Sequence, residues 1–287
     1  MQTLIRAGDK NDPMIFGMSY NSARDELFLA DTRNKVVRAM RVRDNAGDLR
    51  DVYRSPHDTS PSIWSVCHMS DSDTLLVCSA EQTPDKYAHW LVALSRNGSE
   101  WRETHRVQTD GTGAISCAMS DSRVLIGDGD CISPYMELFR VESSQRIARI
   151  HRIHVSEKYD WFSATCTSDT LVAMSYPKMD VFLSNGDNSV RLHRLRSDRL
   201  EELARIQLNS PTLLLWLSDR LLVSDRDSEK NAEAVIELEV SDTRLERRRE
   251  LIATSENILL RRLCAVNDGV AISDYKCGNI LLYSFAK

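Results

Sequence analysis

The sequence predicts an all-β fold, a six-bladed β-propeller built from four-stranded antiparallel blades. Two observations lead to this prediction. Short apolar runs bounded by turn-forming residues recur along the chain, which is typical of paired strands. Two sequence markers also repeat in one register at intervals of 47–50 residues, and repeats of this size indicate propellers or solenoids.

The first marker is an Asp or Ser that ends the second apolar run of each repeat. In the first repeat it is Asp31, which follows the run Glu26–Ala30. The six members are Asp31, Ser79, Asp128, Ser175, Asp225 and Asp274. Because their spacing is nearly constant over five intervals, six repeats account for all 287 residues.

The second marker is a small or apolar residue in the first run of each repeat. Its members are Met18, Cys67, Cys117, Cys166, Leu215 and Cys264. Between the two markers lies a recurrent polar turn such as Ser72-Asp73. Ser, Asp and Asn favour tight turns because their side chains bond the local backbone. The agreement of the two markers therefore predicts a strand, a turn and a second strand in every repeat.

The blades follow one another along the chain with short connections. We expect them over residues 13–55, 62–108, 114–153, 162–208, 212–253 and 258–285. The last blade has three apolar runs, whereas the others have four. Residues 1–8 resemble a fourth run, so we expect the N-terminal strand to complete the last blade and close the ring. The whole chain, residues 1–287, is then a single propeller domain.

Charge and hydropathy make several kinds of partner unfavourable. The net charge is −5, with 37 Lys and Arg against 42 Asp and Glu, which argues against nucleic acid or an anionic membrane as a partner. The sequence contains neither a secretory apolar segment nor a run of about 18 apolar residues. We therefore expect a monomeric propeller located in the cytoplasm or nucleus.

The cysteines support a reducing compartment. Four of the seven, Cys67, Cys117, Cys166 and Cys264, occupy equivalent positions in different blades. Packed sheets lie about 10 Å apart, which is too far for a disulfide between equivalent residues. We expect these four to be buried, reduced and unreactive.

Two segments resemble the NHL-repeat signature, Leu29–Val42 and Ile272–Phe285. Asp31, Asn34, Asp274 and Asn279 stand where that pattern has the Asp that ends a strand and the Asn of the following loop. The resemblance implies a six-bladed propeller that recognises protein or RNA, or in some members an enzyme. Divergent WD repeats are the nearest competing family.

Known catalytic signatures are missing from the sequence. It has no Gly-rich phosphate loop, no Cys pair at zinc spacing and no Gly-x-Ser-x-Gly elbow. The seven His residues occupy unmatched repeat positions. We therefore expect no catalytic residues, no metal site and no cofactor.

Aromatic and Arg residues are concentrated near one expected mouth of the channel. They are Trp64, Tyr135, Tyr159, Trp161, Phe162, Tyr176, Arg261 and Tyr275. Such residues dominate binding hot spots, although some of them could instead plug the channel or pack between blades. The sequence thus favours a non-catalytic scaffold that binds a protein or peptide on this face. The alternatives are a propeller hydrolase or lyase with a site at the channel mouth, or an RNA-binding module of the NHL kind.

Overall fold

The computed structural model describes residues 2–5, 13–43, 49–55, 62–82, 87–111, 115–118, 122–127, 135–155, 163–167, 171–178, 186–217, 219–227, 232–241, 244–254, 260–267, 269–274 and 278–285. These residues form 24 β-strands and one short 3-10 turn at Ser70–Ser72. The strands make six antiparallel four-stranded sheets. The predicted six-bladed β-propeller is confirmed.

The strands follow the expected repeat closely. The first is β1 (Gln2–Ile5). Blade 1 contains β2 (Ile15–Asn21), β3 (Glu26–Asp31), β4 (Val36–Arg41) and β5 (Arg50–Arg54). Blade 2 contains β6 (Ser62–Met69), β7 (Thr74–Gln82), β8 (Tyr87–Asn97) and β9 (Glu100–Thr109). Blade 3 contains β10 (Ile115–Ala118), β11 (Arg123–Gly127), β12 (Tyr135–Ser143) and β13 (Arg146–His154).

The second half of the ring has the same design. Blade 4 contains β14 (Ser163–Cys166), β15 (Leu171–Tyr176), β16 (Ser189–Leu195) and β17 (Leu200–Gln207). Blade 5 contains β18 (Pro211–Leu217), β19 (Arg220–Asp227), β20 (Ala232–Ser241) and β21 (Arg244–Ala253). Blade 6 contains β22 (Leu260–Val266), β23 (Gly269–Asp274), β24 (Ile280–Ser284) and the N-terminal β1. No helix in the described part of the chain is long and apolar enough to cross a membrane.

The first strand of each blade faces the centre of the ring. The innermost strands β2, β6, β10, β14, β18 and β22 each contact the innermost strand of the next blade, and β22 contacts β2. The strands between the innermost and outermost ones are buried on both faces: all six residues of β3 and all six of β23 are buried. Both faces of each blade therefore need cover from a neighbouring blade.

Apolar side chains provide that cover at each of the six boundaries between blades. Phe28, Val37, Val77 and Val92 belong to the cluster between blades 1 and 2. Five further clusters of the same kind join the remaining neighbours around the ring, including blade 6 to blade 1. The core is therefore divided among the boundaries between blades, and each blade contributes to two of them.

The N-terminal strand closes the ring as the sequence predicts. Strand β1 pairs antiparallel with β24, with Gln2 opposite Leu282, Thr3 opposite Leu281 and Ile5 opposite Ile280. Ile280 is fully buried, with 0% exposure. The pairing covers an edge that a three-stranded last blade would leave open.

The Asp/Ser marker has a structural role at the start of the innermost strand. The Asp31 Oδ1 atom accepts a hydrogen bond from the Met14 N–H at 3.1 Å. Asp225 Oδ1 accepts the Asn209 and Ser210 N–H groups at 3.0 and 2.8 Å. In blade 4 the Ser175 hydroxyl accepts the Ser163 N–H at 3.1 Å. The marker side chains therefore bond backbone N–H groups at or just before the start of the innermost strand.

The recurrent turns at the opposite end of the strands are linked from blade to blade. Asp25, Asp73 and Asn267 lie in these turns with positive φ angles of 56°, 44° and 34°, a conformation that Asp and Asn tolerate better than most residues. Asn267 Nδ2 donates to Asp25 Oδ1 at 3.0 Å, which joins blade 6 to blade 1. Arg24 forms a 3.3 Å ion pair with Asp73, which joins blade 1 to blade 2.

Both turn carboxylates are held in their ionised form. Burial opposes ionisation of Asp73, but its hydrogen bond with His68 and the nearby charge of Arg24 outweigh burial, and the pKa of Asp73 is lowered. For Asp25, hydrogen bonds from Tyr20, the Arg43 N–H and Asn267 likewise outweigh burial and lower its pKa.

We expect removal of β1 to weaken the whole ring. Replacing Gln2–Ile5 with a Gly-Ser segment of equal length should lower the melting temperature by about 5 °C or more, because β24 loses its paired edge. Thermal melts followed by circular dichroism measure this effect. If the variant with the Gly-Ser segment has the same melting temperature as the wild type, β1 does not close the ring.

Acid should weaken the turn network. A carboxylate whose pKa is lowered on folding stabilises the fold above its unfolded pKa and loses that contribution as the pH falls through the folded value. Asp73→Asn should therefore cost less than about 1 kcal/mol at pH 7, since the Asp73 side chain is 38% exposed. Denaturant unfolding at several pH values should show this difference shrinking as the pH falls through the lowered pKa of folded Asp73, where the wild-type carboxylate also becomes protonated. A stability difference between Asp73→Asn and the wild type that grows as the pH falls would contradict a lowered pKa for Asp73.

Candidate functional site at one mouth of the channel

The innermost strands of the ring line a cavity of about 210 Å³. Its described lining comes from five blades and consists mainly of small, hydroxyl-bearing, thiol-bearing and aliphatic residues. The lining residues are Gly17 to Tyr20, Ser65 to Cys67, Ser163 to Cys166, Leu213 to Leu215, and Arg262 to Ala265. The cavity therefore lies on the axis of the ring, where side chains from different blades converge.

Four innermost strands carry a β-bulge near their start, and in three of them, β2, β6 and β22, one residue is left extra at the same place. In β2, Ile15 pairs with Asp31 and Gly17 with Ala30, so Phe16 is the extra residue. The same shift leaves Trp64 extra in β6 and Arg261 extra in β22. A bulge releases its extra residue from the ladder and re-aims the side chain, and bulges are common beside active sites.

The three bulged residues form one contact group, which we name the bulge cluster: Phe16, Trp64 and Arg261. The rings of Phe16 and Trp64 meet edge to face with centroids 5.4 Å apart. The Arg261 guanidinium carbon lies 4.1 Å from the centroid of the Phe16 ring, within cation–π range. Phe16 is thus the central member, held between side chains from blades 2 and 6.

Arg262 connects the bulge cluster to the cavity. It follows the bulge in β22 and lines the cavity, and its Nε–H donates to the backbone carbonyl of Phe16. The next residue of β2, Gly17, allows β2 and β6 to approach closely, because a Cβ there would lie 2.6 Å from Ser65 Cα. The bulge cluster and the cavity therefore share one mouth of the channel, which we call the bulge mouth.

Two cavity hydroxyls tie adjacent blades together. Ser19 Oγ accepts the His68 N–H at 2.8 Å, and Thr165 Oγ1 accepts the Trp216 N–H at 3.3 Å. A hydroxyl that accepts such a bond still has its own O–H to donate.

The structure brings together two of the eight predicted face residues, Trp64 and Arg261. Tyr135 lies in blade 3, where its ring meets His154 and the Arg152 guanidinium. Tyr176 is 1% exposed and contacts Arg191 and His193, so it belongs to the interior and not to an exposed face. Tyr159, Trp161, Phe162 and Tyr275 lie outside the described residues.

Sequence reasoning missed Phe16 and Arg262. The repeat was aligned on Met18, but strand pairing makes Ser19 the equivalent of Cys67: Ser19 pairs with Phe28 and Cys67 with Leu76, each three residues before the marker. Counting back three residues from Met18 gives Ile15, whereas counting from Ser19 gives Phe16. A repeat alignment anchored on Asp31 alone could have found it.

The thiols of the cavity differ in exposure. Cys67 and Cys264 are buried, and Cys166 is half-buried. All three have free thiols. Burial raises the pKa of Cys264 to about 12, which keeps it protonated and unreactive at neutral pH. The side chain of Cys117 lies outside what the structure describes. The half-buried Cys166 departs from the expectation that all four are buried.

The outer surface carries paired charge. Arg247, Arg248 and Arg249 of β21 each form an ion pair with a Glu. Among the described residues, Tyr87 is the one large apolar side chain that is exposed. The described outer strands therefore present mainly charged side chains, which discourage edge-to-edge association of sheets.

Thiol labelling should distinguish the cysteines of the cavity. In the native protein, iodoacetamide should modify Cys166 faster than Cys264, because Cys166 is less buried and the Cys264 thiol resists ionisation. Peptide mass spectrometry after timed labelling measures the two rates, and a Cys166→Ser variant confirms the assignment. Equal or reversed rates would contradict the difference in burial between Cys166 and Cys264.

Comparison with known proteins shows likeness of fold. No family model and no curated protein matches the sequence. The PQQ-bound aldose sugar dehydrogenase of Streptomyces coelicolor matches with a TM-score of 0.64 and 9% identity, over 98% of this chain and 96% of that one. A candidate oxidoreductase (glucose dehydrogenase) of Thermus thermophilus matches with a TM-score of 0.61 and 11% identity, over 97% and 98%. The β-propeller domain of Cps50 (Swd1) from Myceliophthora thermophila gives 0.57 and 10%, over 95% and 84%.

These findings correct the functional prediction. At such low identity the likeness shows the propeller fold. Even so, matches to sugar dehydrogenases along the whole chain support the enzyme alternative better than a non-catalytic scaffold. The prediction of a non-catalytic protein- or peptide-binding scaffold is therefore wrong.

Proposed function

We propose that the protein is an enzyme that binds a small-molecule substrate in the central channel, reached through the bulge mouth. One observation carries this proposal. Bulges at the same position in blades 1, 2 and 6 bring Phe16, Trp64 and Arg261 together in one cluster. Arg262 lines the cavity and hydrogen-bonds the backbone carbonyl of Phe16, so it connects the cluster with the cavity.

The size of the cavity supports a small substrate. Pockets for drug-sized ligands measure about 300–1,000 Å³, and this cavity measures about 210 Å³. Its lining mixes aliphatic residues with a few convergent polar groups, which is the usual composition of a ligand site. A metabolite the size of a simple sugar or a short organic acid suits it.

The side chains at the mouth suit recognition of that substrate. Phe16 and Trp64 are held in fixed orientation by their edge-to-face contact, so they offer an apolar wall at low entropic cost. Trp64 Nε1 is buried without a hydrogen-bond partner among the described residues, and such a donor favours an acceptor on a bound molecule. Arg262 would orient polar groups of the substrate inside the channel.

The cofactor of the sugar dehydrogenases does not fit the described donors. Pyrroloquinoline quinone is a tricyclic molecule with three carboxylates, whereas the described cavity lining offers a single guanidinium, with Arg261 as a second at the mouth. The described residues contain no group of three His, Cys, Asp or Glu that could hold a metal ion. This misfit favours a hydrolase or lyase over a quinone-dependent oxidoreductase. The reduced thiols favour a cytoplasmic location.

Blocking the channel tests the proposal. Ala265 is half-buried in the cavity lining, so Ala265→Trp should fill the channel. We expect purified wild-type protein to consume a metabolite from a small-molecule cell extract, monitored by mass spectrometry, and the variant to lose this activity. The matched control is Ala148→Trp, which places the same side chain on the exposed outer strand β13.

Two results would overturn the proposal. One is a wild-type protein that consumes no metabolite from extracts of several growth conditions. The other is an Ala265→Trp variant that is folded by its thermal melt and as active as Ala148→Trp. If Ala265→Trp does not fold, Ala265→Leu gives a smaller obstruction for the same comparison.

A further inference from the structure

We infer that Thr212 is a nucleophile at the bulge mouth, that Glu233 is its base, and that together they transfer the acyl group of a small ester to water. This inference rests on the proposed function and deepens it by naming a catalytic residue and a reaction. The observation behind it is a chain of hydrogen bonds that runs from the mouth into the boundary between blades 5 and 6.

Thr212 occupies the mouth position in blade 5. It stands three residues before Leu215, which is the equivalent of Cys67 because each pairs with the residue three places before the Asp/Ser marker. The same count leads to the members of the bulge cluster in blades 1, 2 and 6. The ladder of β18 also shifts here, since Thr212 and Leu213 lie opposite the single residue Ser224. This irregularity therefore presents Thr212 at the same mouth as the bulge cluster.

The Thr212 hydroxyl directs its hydrogen toward Glu233. Thr212 Oγ1 lies 3.3 Å from Glu233 Oε1 and 3.1 Å from Ser224 Oγ. The Ser224 hydroxyl has one hydrogen, which it donates to Glu233 Oε1. The Thr212 hydrogen is therefore directed to Glu233, either straight or through Ser224. No donor among the described residues is bonded to the Thr212 oxygen beyond these contacts, so its lone pairs are available for attack.

Three donors hold the Glu233 carboxyl group in place. Besides the two hydroxyls, the Leu260 N–H donates to Glu233 Oε2 at 3.0 Å, and this bond crosses from blade 5 to blade 6. Glu233 is 5% exposed. Burial raises its pKa, although the hydrogen bonds and the nearby charge of Arg226 on β19 act in the opposite direction. A carboxylate with a raised pKa is a stronger base than an ordinary one.

These residues have the arrangement of an activated nucleophile. Thr212 is half-buried, whereas Ser224 is fully buried, so a substrate can reach Thr212 and not Ser224. Thr212 and Glu233 are joined by a hydrogen bond, and Glu233 is itself oriented by other groups. A nucleophile bonded to a base that a third group orients is the general pattern of covalent catalysis.

Acyl transfer through Thr212 accounts for every atom. Thr212 Oγ bonds to the acyl carbon, its proton passes to Glu233, and the ester C–O bond breaks. Glu233 returns that proton to the departing alkoxide, which leaves as an alcohol. Water then attacks the acyl-threonine and gives a proton to Glu233, which passes it to the Thr212 oxygen as the acid departs. Ester and water thus become alcohol and acid, and no other reactant is needed.

The test treats the full chain with p-nitrophenyl acetate, whose acyl group is small enough for the cavity. We expect release of p-nitrophenolate, measured by absorbance, and an acetyl group on Thr212, located by peptide mass spectrometry after an acid quench. Release should rise with pH through the raised pKa of Glu233, because only the ionised carboxylate can accept the proton.

Variants then separate catalysis from structure. Thr212→Val removes the hydroxyl at nearly constant volume and should abolish the adduct, whereas Thr212→Ser keeps the hydroxyl and should retain it. Thr212→Val and Glu233→Gln should each lower release by about a hundredfold. Glu233→Gln should also remove the pH dependence, which loss of a purely structural contact would not do. The control is Thr104→Val, which removes a hydroxyl from the outer strand β9 that bonds the Ala93 and Ser144 carbonyls and should release p-nitrophenolate as the wild type does.

The outcomes separate this inference from the proposed function. An acetyl group on another residue, such as Cys166, and not on Thr212 would overturn the inference. Release by folded Thr212→Val equal to that of Thr104→Val would do the same. The adduct on the wild type needs no variant, so it decides the matter even if Thr212→Val fails to fold. If the wild type consumes a metabolite that Ala265→Trp does not, while Thr212 stays unmodified, the channel enzyme stands and the nucleophile fails.

Discussion

Face-to-face packing of neighbouring sheets is the interaction on which the rest of the structure depends. Strands such as β3 and β23 are buried along their whole length, so a blade in isolation would expose apolar surface on both sides. Six apolar clusters satisfy this need only when the blades form a closed ring. Closure in turn brings six innermost strands together on the axis, where Gly17 lets two of them approach closely. The channel is thus a consequence of how the blades cover one another.

The architecture was readable from the sequence because one local requirement recurs in the blades. The start of an innermost strand needs a hydrogen-bond acceptor, and Asp31 and Asp225 supply a carboxylate for it. Ser175 supplies a hydroxyl in the same place. The change from Asp to Ser weakens the resemblance to NHL repeats in blade 4, yet it preserves the bond. Spacing was therefore a better guide than residue identity.

The candidate site was only partly readable, because the second sequence marker was placed one residue off in blade 1. Strand pairing makes Ser19, and not Met18, the equivalent of Cys67, and counting from Met18 replaced Phe16 with Ile15. Tyr176 was predicted to lie on the exposed face, but it is buried against Arg191 and His193. The sequence pattern does not distinguish a buried aromatic residue at the end of a strand from an exposed one. The role of Arg262 depends on which side chains five blades bring to one cavity, and no local pattern contains that information.

The bulges also break the rotational symmetry of the ring. They occur in the innermost strands of blades 1, 2, 5 and 6, whereas β14 of blade 4 pairs with β15 without any shift. A perfectly sixfold mouth would offer a guest molecule six equivalent poses about the axis. With Arg262 on one side and the regular strand of blade 4 elsewhere around the axis, those poses are no longer equivalent. A molecule on the axis would therefore meet a different set of groups in each rotational orientation.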